Sequence, residues 1–520
     1  MSILSLTPSG PYRSDPSGSQ SINMLIEKDK YRGYAVYSND HKPLGVVSSD
    51  GERKAICNFT TLPEKIKEYL IAIEDKRFYR HNGIDMKGVA RAVYANVKAR
   101  RIVQGGSTIT QQLARNLLRD NKKNIVRKLK ELQLALRIER QYFKDEILDL
   151  YFNEVFWGGK IYGLRAASLE YFAKEPEQLT SAEQLALLTI LRGPNYYINN
   201  SDGFAKRYRA IGRSLCSRKV LPKKKYSRIR NRAIQFDCNS LGVFRNESVP
   251  HIASAINESR HTIITTLDKR IQHEATRFVS DSIYPTSIIC IYEGRLIAVA
   301  SSNGTDYPFT LRANVGSTLK PFIFTFLRES GISGDVLFPT GKNHDLSWDI
   351  REMLDVEKSA LTLKEALYLS NNNVFVNAVS TLGIEKTLTF LAQTMNKKVD
   401  EFVPASVLGA TTSGITLHEL VTAYHRFFIE EPRNPSKEEC LAILRDIAKD
   451  KLNGNFQNVW LKTGTTNQNR ERYGIVGAAK MLFGFLRQGN AVNDYSKEGN
   501  FLQNIVGFLR RVRSKIYKWE

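Results

Sequence analysis

The sequence predicts a multidomain protein in which a mostly α domain is followed by an α+β domain. Three observations carry that expectation. At 520 residues the chain is too long for one ordinary core, so two or three domains are expected. From Leu62 to Asn200 the pattern is mostly helical. Past His261 the texture changes to short apolar runs broken by turn residues and mixed with helical segments, which is how an α+β domain reads.

The elements follow in order. Residues 1–30 open with Ser, Pro and Gly and read as a flexible arm. The helical domain is expected over 31–204. Within it Thr180-Ser181-Ala182-Glu183 forms a capping box ahead of the run Leu185–Leu191, and Gly193-Pro194 should stop that helix. A basic stretch over 205–260, including Lys223-Lys224-Lys225, reads as a linker or bridging segment. The α+β domain is expected over 261–490. Ser287–Ile291 and Leu296–Ala300 around Glu293-Gly294 predict a β-hairpin, and strands are expected near Val459–Thr463 and Ile475–Phe485. A basic amphipathic tail occupies 491–520.

Bulk composition narrows the chemistry. The net charge of +23 attracts polyanions: nucleic acid, an anionic membrane surface or a phosphorylated substrate. The charge is spread along the chain and accompanies no nucleic-acid motif, so no nucleic-acid partner is expected. Cys57, Cys216, Cys238, Cys290 and Cys440 are scattered and form no C-x-x-C pair, and no H-E-x-x-H occurs. No metal site is therefore expected from these residues.

Two constellations carry chemistry. In the first, Glu74-Asp75 leads a charged and aromatic segment ending at Gly83. Gly105-Gly106 then permits a tight turn ahead of Ser107 or Thr108, either of which can cap the next helix. Thr108, Gln112 and Arg115 share one stripe of that helix, a hydroxyl, an amide and a guanidinium suited to phosphate. Arg127, Lys128 and Glu131 follow on a later helix, where Arg127 and Glu131 also fit an ordinary exposed ion pair. In the second, Ser317 and Lys320 form an S-x-x-K with both side chains on one helix face, and Pro321 belongs in a first helical turn. Ser317 should thus sit at a helix start. Ser370-Asn371-Asn372 and Lys462-Thr463-Gly464 follow. Each motif alone recurs by chance, whereas the ordered set is a recognised signature.

Five blocks in order resemble the peptidoglycan glycosyltransferase family: Glu74 to Gly83, Gly105 to Gln112, Arg127 to Glu131, Lys144 to Asn153, and Arg192-Gly193-Pro194. The three later motifs resemble penicillin-binding transpeptidases and class A β-lactamases. Together the chain resembles a class A, bifunctional penicillin-binding protein. The resemblance implies a lysozyme-like glycosyltransferase domain followed by a β-lactamase-like serine transpeptidase domain. It implies polymerisation of lipid II into nascent peptidoglycan, with Glu74 as general base and Glu131 as the second acid. Arg127, Lys128, Arg115, Thr108 and Gln112 would organise the donor's pyrophosphate, and Asp75, Phe78, His81 and Asn153 belong to the same substrate-binding blocks. Arg115 stands where many members have Lys.

For the second domain the resemblance implies that Ser317 is the nucleophile, Lys320 its base, and Ser370 and Asn372 carriers of protons and of the substrate amide. Lys462 and Thr463, in the block with Gly464, would bind the terminal carboxylate. The N–H groups of Ser317 and Thr465 would form the oxyanion hole. β-Lactams would act as inhibitors by acylating Ser317. Beyond the third motif, Glu471-Arg472-Tyr473-Gly474 departs from the Asp-Ala-Trp-Phe common in the family. No cofactor is required by these residues, and a divalent cation, Mg or Mn, is compatible with the first site. The alternatives are a glycosyltransferase with a weak or inactive transpeptidase, or a β-lactam-binding sensor or scaffold.

The expected location is the outer side of the cell membrane. No apolar run approaches the ~18 residues of a membrane span, and no signal peptide is visible, whereas class A members are normally tethered by an N-terminal helix. A truncated start, an unusual export route and an inactive relic all fit. Val89–Val97, flanked by Lys87, Arg91, Lys98, Arg100 and Arg101, is amphipathic and fits either a membrane-dipping segment or a packed core helix. Phe501–Trp519 places apolar residues on one stripe among Arg510, Arg511, Arg513, Lys515 and Lys518. It fits either an interfacial helix on anionic lipid or a closing helix packed on its domain.

Overall fold

A computed structural model describes residues 33–48, 53–57, 59–100, 105–118, 125–236, 244–245, 249–257, 262–304, 306–341, 357–452, 458–466, 471–489 and 495–516. The arm at 1–30, Arg101, Lys518 and Trp519 lie outside the described residues. Two compact units divide the chain. One takes in the described residues up to 37, within 41–243 and within 255–263; the other takes in 38–40 and those within 244–254 and 264–520.

The first unit begins with an antiparallel hairpin, β1 (Gly33–Tyr37) and β2 (Pro43–Ser48). Helices follow: α1 (Glu64–Glu74), α2 (Met86–Ala99), α3 (Ile109–Leu118), α4 (Ile125–Gln141), α5 (Lys144–Glu154), α6 (Leu164–Phe172), α7 (Ser181–Ile190) and α8 (Ser201–Ser217). Apart from that of α2, their apolar faces share one core that includes Tyr69, Leu113, Tyr151, Leu185 and Leu188. The capping box forms as its residues predict. Thr180 Oγ1 accepts from the Glu183 amide, and Glu183 accepts from the Thr180 amide at 2.7 Å. Pro194 does more than stop that helix, since it starts a further short one, Pro194–Ile198.

The division at 204 falls inside α8. Tyr208, Ile211 and Leu215 of that helix, with Leu221 beyond it, belong to the first unit's core. The stretch read as a linker or bridging segment therefore supplies most of a 17-residue helix and the whole of the short helix Lys223–Ile229. Dense charge hid an apolar stripe at helical spacing.

The second unit is built on a five-stranded antiparallel sheet. Its strands are β3 (Thr286–Tyr292), β4 (Arg295–Ser301), β5 (Val459–Thr465), β6 (Glu471–Ala478) and β7 (Met481–Gln488), in the order β4-β3-β7-β6-β5. Glu293 and Gly294 both have positive φ, 47° and 76°, the geometry of a two-residue turn matched to strand twist. One sheet face carries α9 (Lys269–Ser280) and α15 (Tyr495–Ile516), joined in one core by Phe278, Phe483, Ile505, Phe508 and Val512. Other helices of this unit include α10 (Lys320–Glu329), α11 (Leu363–Leu369), α12 (Asn372–Leu382), α13 (Leu417–His425) and α14 (Pro435–Lys451).

Of the two readings of the C-terminal segment, the structure shows the closing helix. Phe501, Ile505, Val506, Phe508, Leu509 and Val512 are buried. Arg511 Nε and Lys515 Nζ reach Glu274 of α9 at 2.7 and 2.5 Å. The stripe that could have met lipid is spent on the second unit's own core. For α2 the outcome is opposite. Only Gly88 and Ala92 are buried, while Val93, Tyr94 and Val97 stand 56–71% exposed. Among the described residues no single helix is long and apolar enough to cross a membrane.

Candidate active sites

The first site gathers on the N-terminal turn of α3. Glu74 ends α1, and its Oε2 accepts from Gln112 Nε2 at 3.2 Å. Gln112 Oε1 in turn accepts from the Tyr151 hydroxyl at 3.0 Å. Glu131 approaches the same turn through α4. Its carboxylate, 3% exposed, accepts from Lys128 Nζ at 3.0 Å and lies 3.4 Å from Arg127 Nε. Lys128 Nζ also donates to Ser107 Oγ at 3.2 Å. Arg127 and Glu131 are thus no exposed surface pair, because a carboxylate this buried needs its cations. Arg115 points to solvent from α3, and its charge reaches Tyr151.

Several residues of the substrate-binding blocks hold the site rather than face it. Asp75 is buried; it accepts from the Ile109 amide at 3.1 Å and pairs with His81 Nε2 at 2.9 Å. It thereby caps α3 from outside. Thr108 is also buried, donating to Gly83 O at 2.6 Å and accepting from the Gln111 amide at 3.2 Å. With its hydroxyl engaged twice, Thr108 is the N-terminal cap of α3 and not part of a stripe with Gln112 and Arg115. Phe78 is fully buried beneath the Lys144 ammonium, 4.5 Å from the ring centre. Asn153 is buried against the backbone of Cys57, accepting from its amide at 2.9 Å, and donates to Asp149.

Two further residues join the site without a signal strong enough to single them out. Tyr151 lies within the Lys144–Asn153 block, where only its burial beside Gln112 reveals its part. Burial, and then the charge of Glu74, holds its hydroxyl well above the usual tyrosine range. Arg207 of α8 donates to Thr189 O at 2.9 Å and feels the charges of Glu74 and Arg192. It falls in the stretch that reads as linker.

In the second unit three separated motifs converge. Ser317 sits on a 3₁₀ turn, Gly316–Leu319, and α10 begins only at Lys320. The helix therefore starts three residues later than S-x-x-K spacing implies. The cause is close packing of β5 against the turn. Gly316 has φ +56°, and a Cβ there would meet Thr465 O at 2.5 Å. A Cβ on Gly464 would meet Val315 O at 2.4 Å. This approach sets the Thr465 backbone beside Ser317.

Lys320 is fully buried. Its Nζ donates to Ser370 O and Asn372 Oδ1, each at 2.6 Å, and to Asn371 O at 3.3 Å. Those acceptors converge because Ser370, at φ 60°, ends α11 in the left-handed region while Asn371 caps α12 through the Val374 amide at 2.9 Å. Lys462 arrives from β5, and its Nζ donates to Ser370 Oγ at 3.0 Å and to Thr463 O at 2.8 Å. Burial, and then the charges of Lys320 and Lys451, pushes the Lys462 ammonium well below the usual lysine range. β5 is an edge strand of the sheet, so an extended peptide can add along it. Beyond the third motif, Tyr473 is buried and a Cβ on Gly474 would strike the Phe485 ring at 2.2 Å. Those two departures from the family pattern are accommodated in the sheet.

Comparison with known proteins matches both halves. Residues 40–215 match the transglycosylase family model. Penicillin-binding protein 1F of Bacillus subtilis is 29% identical over 430 residues, covering 74% of this chain and 58% of that protein. Penicillin-binding protein 4 of the same organism is 25% identical, covering 75% of this chain and 71% of that one. Penicillin-binding protein 1A of Neisseria cinerea is 36% identical over 219 residues, or 42% of this chain and 27% of that one. The chain thus spans less than two thirds of the length of the first of these relatives. Among solved structures, penicillin-binding protein 1A from Haemophilus influenzae aligns over 92% of each chain at 14% identity, with a TM-score of 0.47.

Proposed function

We propose that this chain, which belongs to the class A penicillin-binding proteins, polymerises lipid II in its first unit and cross-links stem peptides in its second. For the second unit the carrying observation is convergence. Segments 52 and 92 residues apart meet where Lys320 touches Asn372 and Lys462 touches Ser370. For the first unit the reading rests on the transglycosylase match together with Glu74 and the buried Glu131 around α3.

In the first site Glu74 takes the proton of the acceptor sugar hydroxyl as that oxygen attacks the donor's anomeric carbon. Gln112, itself held by Tyr151, orients the carboxylate. The departing pyrophosphate gathers negative charge. Arg115, Arg127 and Lys128 lie on the α3 and α4 faces that would meet it, and Glu131 keeps the last two in place. Glu131 is already paired with two cations, so the donor set does not fit a resident divalent cation. The exposed apolar residues of α2, with Ile125, Val126 and Leu129 of α4, suit the boundary of a bilayer that delivers a lipid-linked donor.

In the second site Ser317 Oγ attacks the penultimate D-Ala carbonyl, and its proton passes to Lys320 once that ammonium has given up a proton and stands as the amine. The terminal D-Ala leaves with a proton returned through Ser370, which Lys462 touches, and an amine from a neighbouring strand then takes the acyl group from Ser317. Burial favours the neutral amine of Lys462, which suits proton exchange through Ser370. A β-lactam would acylate Ser317 and remain.

The test is polymerisation of labelled lipid II by purified protein in detergent, with Glu74→Gln alongside, and labelling by a fluorescent penicillin with Ser317→Ala alongside. Polymer from the parent alone and label on the parent alone are expected. A folded parent that makes no polymer would overturn the glycosyltransferase reading. A parent that polymerises but takes no label would leave a glycosyltransferase with an inactive transpeptidase.

A further inference from the structure

We infer that Tyr424 is a positioning residue of the second site: its hydroxyl holds the Ser317 turn in the 3₁₀ form that brings the side chains of Ser317 and Lys320 into line. The inference rests on the reading of that site as a serine transpeptidase.

The S-x-x-K segment has two ways to close a turn. In an α-helical turn the Ser317 carbonyl would accept from the amide four residues on. That residue is Pro321, which has no N–H. The Lys320 amide donates to Ser317 O instead, as part of the 3₁₀ turn Gly316–Leu319. The difference bears on the chemistry. Residues i and i+3 eclipse on a 3₁₀ turn, whereas on an α-helix they stand about 60° apart around the axis. The 3₁₀ form therefore aligns the nucleophile with its base.

The same proline leaves a gap in the 3₁₀ pattern. The residue three beyond Thr318 is again Pro321, so the Thr318 carbonyl has no donor there. Tyr424 of α13 supplies one. Its hydroxyl donates to Thr318 O at 2.5 Å, and both groups are buried. The Tyr424 ring packs edge to face on Phe322 at 4.6 Å and stacks on Trp460 at 5.9 Å, which fixes the direction of the hydroxyl. Burial, and then Cys440, pushes that hydroxyl well above the usual tyrosine range, so it keeps the proton it donates. The ordinary alternative is a buried hydrogen bond that adds only to the stability of the core.

The experiment separates the two. Acylation of Ser317 in the full chain would be timed over a range of fluorescent penicillin concentrations. Such a series resolves the affinity of the first complex from the rate constant of the acylation step. Tyr424→Phe removes the hydroxyl and keeps the ring. Phe428→Leu trims the same aromatic cluster and leaves the hydroxyl in place. Tyr424→Phe should slow the acylation step about five- to tenfold, the scale of one hydrogen bond, with the first complex as tight as in the parent. Phe428→Leu should lower the urea midpoint at least as far and leave that step near parental. Four results would each overturn the proposal: a parental rate in Tyr424→Phe, a weaker first complex in place of a slower step, equal slowing by Phe428→Leu, or loss of the cooperative urea transition in Tyr424→Phe. A folded parent that takes no label would overturn the transpeptidase reading on which it stands.

Discussion

At the scale of single residues, burial decides what a charge can do. Glu131 is nearly sealed from solvent, with two cations within 3.4 Å. Removing it strands Arg127 and Lys128 against each other. A fully buried pair broken this way costs ~3–5 kcal/mol. Lys128 is 40% exposed, so solvent screening reduces the expected loss for Glu131→Ala to about 2 kcal/mol. Urea unfolding measures it, and a variant as stable as the parent would contradict the ion-pair account. Glu131→Gln should keep more of the stability, because the amide can still accept from Lys128, yet lose polymerisation.

At the scale of elements, the serine site depends on backbones in contact. Gly316, Gly409 and Gly464 let the Ser317 turn, a neighbouring loop and β5 touch without side chains between them. Gly316→Ala places a methyl 2.5 Å from Thr465 O at φ +56°. We expect penicillin acylation to fall at least about tenfold and stability to drop by roughly 1–3 kcal/mol. Gly341→Ala, where nothing lies within 4 Å, should leave both near parental. Equal effects of the two substitutions would remove the argument.

The helix α13 carries a second device. His418 packs against His251 and Phe309, with ring centres 4.6 and 5.1 Å away. Burial, and then the His251 charge, pushes its imidazole down to about 4, against a weaker opposing pull from Glu419. The unfolded chain therefore binds more protons than the folded one between about pH 6.5 and 4. Stability from this residue is present above that window and lost as pH falls through it, with a slope of at most ~1.4 kcal/mol per pH unit. His418→Gln should flatten the slope measured by chemical denaturation across this range. An unchanged slope would assign the pH dependence to other groups.

At the scale of the whole molecule, the C-terminal helix belongs to the second unit's interior. Six buried apolar side chains on α15, at ~1.5–3 kcal/mol each, amount to roughly 10 kcal/mol or more. That rivals the ~5–15 kcal/mol net stability of a folded domain. A chain ending at residue 496 should therefore lose cooperative unfolding of the second unit and penicillin labelling with it. Retention of both, with loss only of liposome flotation, would restore the lipid-binding reading of this helix. Among the described residues, apolar side chains are left outside on α2 and at the start of α4.

Sequence alone determined the features whose chemistry is local. The Thr180–Glu183 capping box, the Glu293-Gly294 hairpin, S-x-x-K and the paired spacing of Arg127 with Glu131 are all written within five residues, so residue type and interval suffice. Only the tertiary structure decided which faces meet. Phe78, Asp75, His81, Thr108 and Asn153 became supports of the first site because their polar atoms or rings are buried against distant backbone and side chains. Tyr151 and Arg207 joined the first site from positions that carry no pattern of their own. The stripe in α8 and the stripe in α15 were packed inward while that of α2 was left exposed. A periodic apolar face states that something must cover it; what covers it depends on every other face in the chain, and that information exists only once the chain has folded.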